Sequence, residues 1–137
     1  MQTPRQQQTR EAARGRVLVV EDEFLIASAV ESDLSDGGFE VVAVANTAND
    51  AVALARKTRP DVIIMDIRLV GGRDGVDAAL EIFGETGIRC VFATAHADAQ
   101  CKARAVAASP LGWLQKPYGR EALLGAVERA METLRPA

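Results

Sequence analysis

The stretch "VLVVEDEFLIA" (residues 17–27) passes from an apolar run directly into three consecutive carboxylates, Glu21, Asp22 and Glu23. The run "RVLVV" (16–20) is rich in Val without polar alternation, which is typical of a strand that is covered on both faces. Two carboxylates about 4 Å apart repel each other by ~4 kcal/mol at an effective dielectric constant of about 20. Groups elsewhere in the chain must offset that repulsion, and the following segments supply candidates for them.

Four further apolar runs predict four more strands: "EVVAVA" (40–45), "DVIIM" (61–65), "CVFAT" (90–94) and "LGWLQ" (111–115). Helical patterns lie between them, such as the stripe of Val76, Ala79, Leu80 and Phe83, whereas the Ala-rich stretch 98–108 has a weak stripe. Strands that alternate with helices predict a parallel sheet with helices on both faces. The common arrangement for five such strands is a flavodoxin-like, doubly wound α/β fold of order 2-1-3-4-5, here with five helices.

Length and composition exclude several classes of protein. The chain has 137 residues, a net charge of −3 and a pI near 5.2, which argue against a general nucleic-acid or membrane-surface binder. No apolar run reaches about 18 residues, so no membrane span is expected. The cysteines, Cys90 and Cys101, are too few for a disulfide framework and favour a reducing, cytoplasmic location. Residues 1–14 are polar and predict a flexible N-terminal tail, which leaves residues 15–135 as one domain.

Carboxylates follow two neighbouring strands of the predicted sheet. Glu21 and Asp22 come after strand 1, and Asp66 comes at the end of strand 3. In open α/β sheets, ligands bind outside the carboxyl ends of the strands, at the point where the strand order reverses. Clustered carboxylates form a hard oxygen site, which suits Mg²⁺, and no cluster of Cys and His favours a softer metal. The sequence therefore predicts that a cation offsets the repulsion between these carboxylates.

A hydroxyl and an ammonium group are expected at the same edge of the sheet, from Thr94 after strand 4 and Lys116 after strand 5. Asp66 could then act as a nucleophile that forms an aspartyl phosphate. The metal and Lys116 would neutralise charge on the transferring phosphoryl group, and Thr94 would donate to one of its oxygens. This arrangement predicts phosphoryl transfer to Asp66.

Four motifs carry a family resemblance: "VVEDE" (19–23), "IIMDIRL" (63–69), "FATAHA" (92–97) and "LQKPY" (114–118). With these motifs in this order, residues 15–135 resemble the receiver domain of two-component response regulators. The resemblance implies that Asp66 is the phosphoacceptor and that Thr94 and Lys116 contact the phosphoryl group. It also implies an aromatic switch residue at Trp113 and a cis peptide bond between Lys116 and Pro117.

The resemblance further implies a set of ligands for Mg²⁺: Glu21, Asp22, Asp66 and the carbonyl of Arg68. The chain departs from the family pattern at Glu21, where Asp is more frequent, and at Trp113, which replaces Tyr or Phe. The loop "DIRLVGGRDG" (66–75) also lacks the usual Pro, and its last Gly comes one residue late. Arg68 and His96 occupy positions that imply a hypothesis: both shape water access to the acyl phosphate. Two exposed loop side chains without that role are the alternative.

These features predict a phosphorylation switch, not an enzyme beyond self-catalysed phosphoryl transfer and autodephosphorylation. A histidine kinase or phosphotransfer protein would modify Asp66, and a surface around helix 4, strand 5 and helix 5 would bind a downstream protein. A stand-alone receiver is expected unless the chain is a fragment, and a homodimer is left open. Two alternatives remain: a receiver-like module that does not depend on phosphate, and a small Mg²⁺-dependent phosphohydrolase. Arg68 disfavours the second, since haloacid-dehalogenase-type enzymes have an acid at that position.

Overall fold

A computed structural model describes residues 13–96 and 98–136 of the chain. Strands and helices alternate along these residues as β1 Arg16–Val20, α1 Phe24–Asp36, β2 Glu40–Ala45, α2 Ala48–Thr58, β3 Val62–Asp66, α3 Gly75–Thr86, β4 Arg89–Thr94, α4 Ala99–Ala105, β5 Gly112–Gln115 and α5 Arg120–Leu134. A short 3-10 turn, Val106–Ala108, continues from α4.

The strands form one parallel sheet of order β2-β1-β3-β4-β5, which confirms the predicted fold class and strand order. Val20 of β1 lies opposite Met65 of β3, and Asp66 lies opposite Ala93 of β4. Thr94 in turn lies opposite Gln115 of β5. The carboxyl ends of these four strands therefore meet at one edge of the sheet.

Apolar residues cover both faces of the sheet, as the uninterrupted Val and Ile runs predicted. One face packs against α2, α3 and α4 through Leu18, Val20, Ile63, Met65 and Phe92. The other packs against α1 and α5 through Val17, Val19, Val62, Ile64 and Val91. Because successive side chains of a strand point to opposite faces, a strand buried in this way shows no polar alternation.

Local residues explain where the elements begin and end. β1 and β2 have the predicted bounds, whereas β3, β4 and β5 differ from the prediction by one residue at one or both ends. Gly37 caps the end of α1, and the Thr47 hydroxyl accepts the Asp50 N–H at 3.1 Å at the start of α2. The predicted helix at 98–108 is α4 followed by the 3-10 turn, and the Asp98 carboxylate caps its start.

The predicted tail covers residues 1–14, of which 1–12 lie outside the described residues. Arg14 is attached to the domain: its N–H donates to the Gly38 carbonyl at 2.9 Å, and its guanidinium lies 4.7 Å from the centroid of the Phe39 ring. A 3.5 Å ion pair joins Arg14 to Glu128 of α5. Among the described residues, no helix combines the length and apolar character that crossing a membrane requires.

Candidate functional site

The predicted site residues occupy the edge of the sheet where the strands end. Glu21 and Asp22 directly follow β1, and Asp66 and Thr94 are the last residues of β3 and β4. Lys116 directly follows β5, and its backbone N–H donates to the Thr94 carbonyl at 2.9 Å. The sheet register therefore brings residues from four separate segments to one place.

Three carboxylates form the centre of the site. Glu21, Asp22 and Asp66 each have one carboxylate oxygen in a group whose members all lie within 4.8 Å of one another. Glu21 and Asp66 are each 4% exposed, and Asp22 is half-buried. The Lys116 ammonium joins the two buried members, at 2.7 Å from Glu21 Oε1 and 3.2 Å from Asp66 Oδ2. Lys116 thus supplies part of the positive charge that the sequence required.

The two buried carboxyls differ in pKa. Burial and the neighbouring Glu21 carboxyl together raise the pKa of Asp66 to about 7, although Lys116 opposes the shift. Burial also raises the pKa of Glu21, but hydrogen bonds with Lys116, Asp66 and the Glu23 N–H outweigh it and leave that pKa below its usual value. One ammonium therefore does not fully compensate this pair of carboxyls, which leaves the pocket attractive to a further cation.

Thr94 is 6% exposed, and its hydroxyl contacts the loop that follows β4. The His96 N–H donates to Thr94 Oγ1 at 3.2 Å, and Thr94 Oγ1 lies 3.2 Å from the His96 carbonyl, to which it donates. The hydroxyl is therefore engaged by the loop in this structure. A role for Thr94 on the phosphoryl group stays a prediction.

Comparison with known proteins decides the family. The family described as "Response regulator receiver domain" matches residues 17–128, which include every predicted site residue. The chain belongs to the response regulator receiver domain family.

Curated relatives and solved structures agree with this assignment. The receiver chain is 37% identical over 120 residues to the transcriptional regulatory protein PdtaR of Mycobacterium tuberculosis, covering 88% of this chain and 58% of that protein. The chain thus spans a little over half the length of that relative. The signal receiver domain of a modulated diguanylate cyclase from Desulfovibrio desulfuricans G20 superposes with a TM-score of 0.80 at 32% identity, covering 88% of this chain and 95% of that chain.

The Vibrio cholerae chemotaxis protein CheY4 is also similar, with a TM-score of 0.79 at 30% identity over 86% of this chain and 99% of that chain. Both structural neighbours match nearly their whole length. The similarity therefore covers the complete receiver fold rather than a shared fragment of it.

The acidic pocket of the receiver domain fits a magnesium ion. Carboxylate oxygens from Glu21, Asp22 and Asp66 are hard donors that converge from two strand ends, and Mg²⁺ is bound in proteins by few carboxylates with water completing its shell. Arg68 lies in the loop after β3 with its side chain exposed, and the ligand role of its carbonyl stays a prediction.

The predicted switch residue, Trp113 of β5, is half-buried against Phe92. The predicted cis peptide bond between Lys116 and Pro117 is present. Sequence reasoning missed Lys102 of α4, whose ammonium lies 5.5 Å from the centroid of the Trp113 ring. A lysine on a short exposed helix has many potential neighbours, and no spacing pattern connects it to a residue in β5.

Proposed function

We propose that the receiver domain is a phosphorylation switch whose phosphoacceptor is Asp66. The observation that supports this proposal is the ion pair of 3.2 Å between Lys116 Nζ and Asp66 Oδ2, beside the carboxylates of Glu21 and Asp22. A nucleophilic carboxylate, a fixed cation and a potential metal site lie together at the edge of the sheet where ligands bind in this class of fold.

The proposed transfer begins with a phosphohistidine on a histidine kinase or a phosphotransfer protein. An Asp66 carboxylate oxygen attacks the phosphorus; the new O–P bond forms as the N–P bond breaks, and the electron pair returns to the imidazole of the donor. Lys116 stabilises negative charge on the phosphoryl oxygens from its position beside Asp66. A magnesium ion held by Glu21, Asp22, Asp66 and the Arg68 carbonyl would supply additional charge neutralisation.

The proposed signal leaves the site through Thr94. A phosphoryl oxygen on Asp66 would offer the Thr94 hydroxyl a charged acceptor in place of the His96 carbonyl that it now contacts. Loss of that contact would release the segment between β4 and α4. The surface formed by α4, β5 and α5, with Trp113 as its switch residue, would then change its affinity for a downstream protein.

The proposal also covers the bounds of the domain, its location, its activity and its partners. The receiver occupies residues 15–135, acts in the cytoplasm, and has no enzymatic activity beyond its own phosphorylation and dephosphorylation. The family is that of response regulators and the relative PdtaR is named a transcriptional regulatory protein, which supports a kinase as the donor and a protein as the target. Arg68 and His96 are both exposed beside the site, and we propose that they shape water access to the acyl phosphate. Replacing each with Ala and timing phosphate loss tests that role, and unchanged lifetimes contradict it.

The fluorescence of Trp113, the only Trp of the chain, provides the test of the main proposal. Mg²⁺ is added first, followed by beryllofluoride or a small phosphoryl donor, and the wild type is compared with Asp66→Asn. A response in the wild type alone supports the switch, and after treatment with the phosphoryl donor mass spectrometry should find one phosphoryl group on Asp66. No response in either protein, with partner binding intact, indicates a module that does not depend on phosphate. Repeated release of phosphate from small esters indicates a phosphohydrolase.

A further inference from the structure

Helix α4 packs against the core of the receiver through two small side chains, Ala105 and the partly buried Cys101. It contains seven residues, Ala99–Ala105, and Ala105 is its buried member. A helix of this length is marginal without tertiary contacts, and methyl side chains bury little apolar surface. The position of α4 therefore depends strongly on the polar side chains that tie it to its neighbours.

Arg104 makes the main polar contacts between α4 and α3. Its Nη1 lies 2.9 Å from Asp74 Oδ2 and its Nη2 lies 3.2 Å from Asp74 Oδ1, so that the guanidinium binds this carboxylate with both nitrogens. The same Nη2 lies 2.9 Å from Asp77 Oδ1. We call the group Arg104, Asp74 and Asp77 the Arg104 latch.

The acidic members of the latch form the start of α3. Asp74 is the N-cap: its Oδ1 accepts the Asp77 N–H at 2.9 Å, and Asp77 Oδ2 accepts the Asp74 N–H at 3.1 Å. This reciprocal cap fixes both carboxylates in front of Arg104. The latch therefore joins α4 to a rigid helix start rather than to mobile side chains.

The start of α3 packs directly against the backbone of the phosphoacceptor. The Gly75 N–H donates to the Ile67 carbonyl at 2.7 Å, and a Cβ at position 75 would overlap the carbonyl oxygen of Asp66. Asp74 immediately precedes this contact. A continuous series of contacts thus runs from Asp66 through Gly75 and Asp74 to Arg104 on α4.

The other end of α4 is close to Thr94. The Thr94 hydroxyl is bound to the His96 backbone, and α4 begins at Ala99, three residues later. Movement of Thr94 toward Asp66 would pull on the residues that connect β4 to α4, whereas Arg104 holds the far end of α4 against α3. The helix is therefore attached at both of its ends.

We propose that Arg104 is a positioning residue that holds α4 in the unphosphorylated arrangement, so that loss of the Arg104 latch favours the phosphorylated form. This inference rests on the proposed function of Asp66. The Arg104 side chain is 45% exposed, and ion pairs of this exposure have modest energies. When contacts that hold an element in one of two states are lost, the equilibrium between the two states shifts by the factor that corresponds to the free energy of those contacts.

The test measures how tightly beryllofluoride binds in the presence of Mg²⁺, using Trp113 fluorescence and, separately, the rate of phosphorylation by a small donor. Arg104→Met should bind beryllofluoride roughly two- to fivefold more tightly than the wild type. This advantage should shrink at high ionic strength, where the wild-type latch is itself screened. Arg104→Lys, which keeps the charge but loses the two-nitrogen contact, should give an intermediate result.

Arg56→Met is the matched control. Arg56 also pairs with two carboxylates, Glu81 and Glu85 on α3, and its side chain is 52% exposed, but none of these residues belongs to α4 or the loop after β3. This variant should match Arg104→Met in thermal stability and the wild type in beryllofluoride affinity. A purely structural role of Arg104 would make the two variants behave alike.

A second substitution tests the other side of the latch. Asp74→Asn keeps a side chain that caps helices well but removes the charge that faces Arg104. It should tighten beryllofluoride binding by less than Arg104→Met does, because Asp77 still pairs with Arg104, and the double variant should bind no more tightly than Arg104→Met alone. Additive effects, or an Arg104→Met protein with wild-type or weaker affinity, would overturn the latch alone. If the Trp113 fluorescence of the wild type does not respond to beryllofluoride in the presence of Mg²⁺, the proposed function is wrong, and the proposed role of the latch is wrong with it.

Discussion

The indole ring of Trp113 stacks on the phenyl ring of Phe92, with their centroids 5.0 Å apart and 28° between their planes. Phe92 is fully buried in β4, so this contact holds the ring of Trp113 against the core. The Lys102 ammonium, 5.5 Å from the centroid of the same indole ring, attaches α4 to it. The ring of Trp113 is thus restrained by the core and by an exposed cation.

Lys102→Met should loosen the Trp113 ring while preserving most of the apolar length of the side chain. We expect the variant to lose about 0.5–1 kcal/mol of stability and its Trp113 emission to become more accessible to acrylamide. Lys57→Met, which changes an exposed lysine of α2, should leave the quenching unchanged. Equal quenching of the Lys102 variant and the wild type would show that the cation does not restrain the ring.

The metal-free receiver should become less stable as the pH rises from about 4 to about 7. The Asp66 pKa is about 7 in the folded protein, whereas its ordinary value, which applies to the unfolded chain, is 3.8. As the pH rises, the unfolded chain therefore releases this proton first. Over that interval the unfolded state binds fewer protons, and the free energy of unfolding falls, by on the order of 1–3 kcal/mol. The Glu21 pKa is lowered, so its contribution is lost only on acidification below its usual 4.5. Urea unfolding at a series of pH values measures the effect.

Asp66→Asn is the control for this pH dependence, because an amide does not titrate. The variant should show a flatter profile between about pH 4 and pH 7 than the wild type. Added Mg²⁺ should flatten the wild-type profile as well, since a bound cation favours the ionised carboxylate. A wild-type profile that already matches that of Asp66→Asn would contradict the raised pKa.

Lys116→Met should impair phosphorylation more than it impairs folding. It removes the ammonium beside Asp66 Oδ2, and loss of one fixed group that stabilises developing charge costs on the order of 10²-fold in rate. The Asp66 pKa should also rise further above about 7, because Lys116 is the group that lowers it. Phosphorylation by a small donor gives the rate, and NMR titration of the carboxyl carbon gives the pKa. An unchanged rate would remove Lys116 from the mechanism.

Much of the fold could be predicted because its determinants are local or topological. The bounds of β1 and β2 follow from apolar runs that end at charged or polar residues, and the strand order follows from the alternation of strands and helices. The meeting of Glu21, Asp66 and Lys116 required only that parallel strands end at the same edge. No detailed side-chain geometry was needed for that prediction.

Contacts between surface side chains could not be predicted in the same way. Arg104 and Asp74 are 30 residues apart, and no spacing pattern in the sequence connects an exposed arginine on α4 with the start of α3. The engagement of the Thr94 hydroxyl by the His96 backbone depends on the path of the loop after β4. Neither contact leaves a periodic pattern, so only a three-dimensional structure places them.

Gly75→Ala tests the packing of α3 against the backbone of Asp66. The added Cβ would overlap the carbonyl oxygen of Asp66, so either α3 or the end of β3 must shift. Overpacking of this kind costs about 1–3 kcal/mol, and a displaced Asp66 should also be phosphorylated more slowly. Thermal unfolding and phosphorylation by a small donor measure the two effects.

Gly84→Ala is the matched substitution within the same helix. A Cβ at position 84 meets no atom within 4 Å, and an exposed helical Gly-to-Ala change stabilises by up to about 1 kcal/mol. The two variants should therefore differ in sign for stability, and only Gly75→Ala should slow phosphorylation. If Gly75→Ala is as stable and as readily phosphorylated as Gly84→Ala, then α3 does not begin against the Asp66 backbone, and the series of contacts from Asp66 to Arg104 loses its first member.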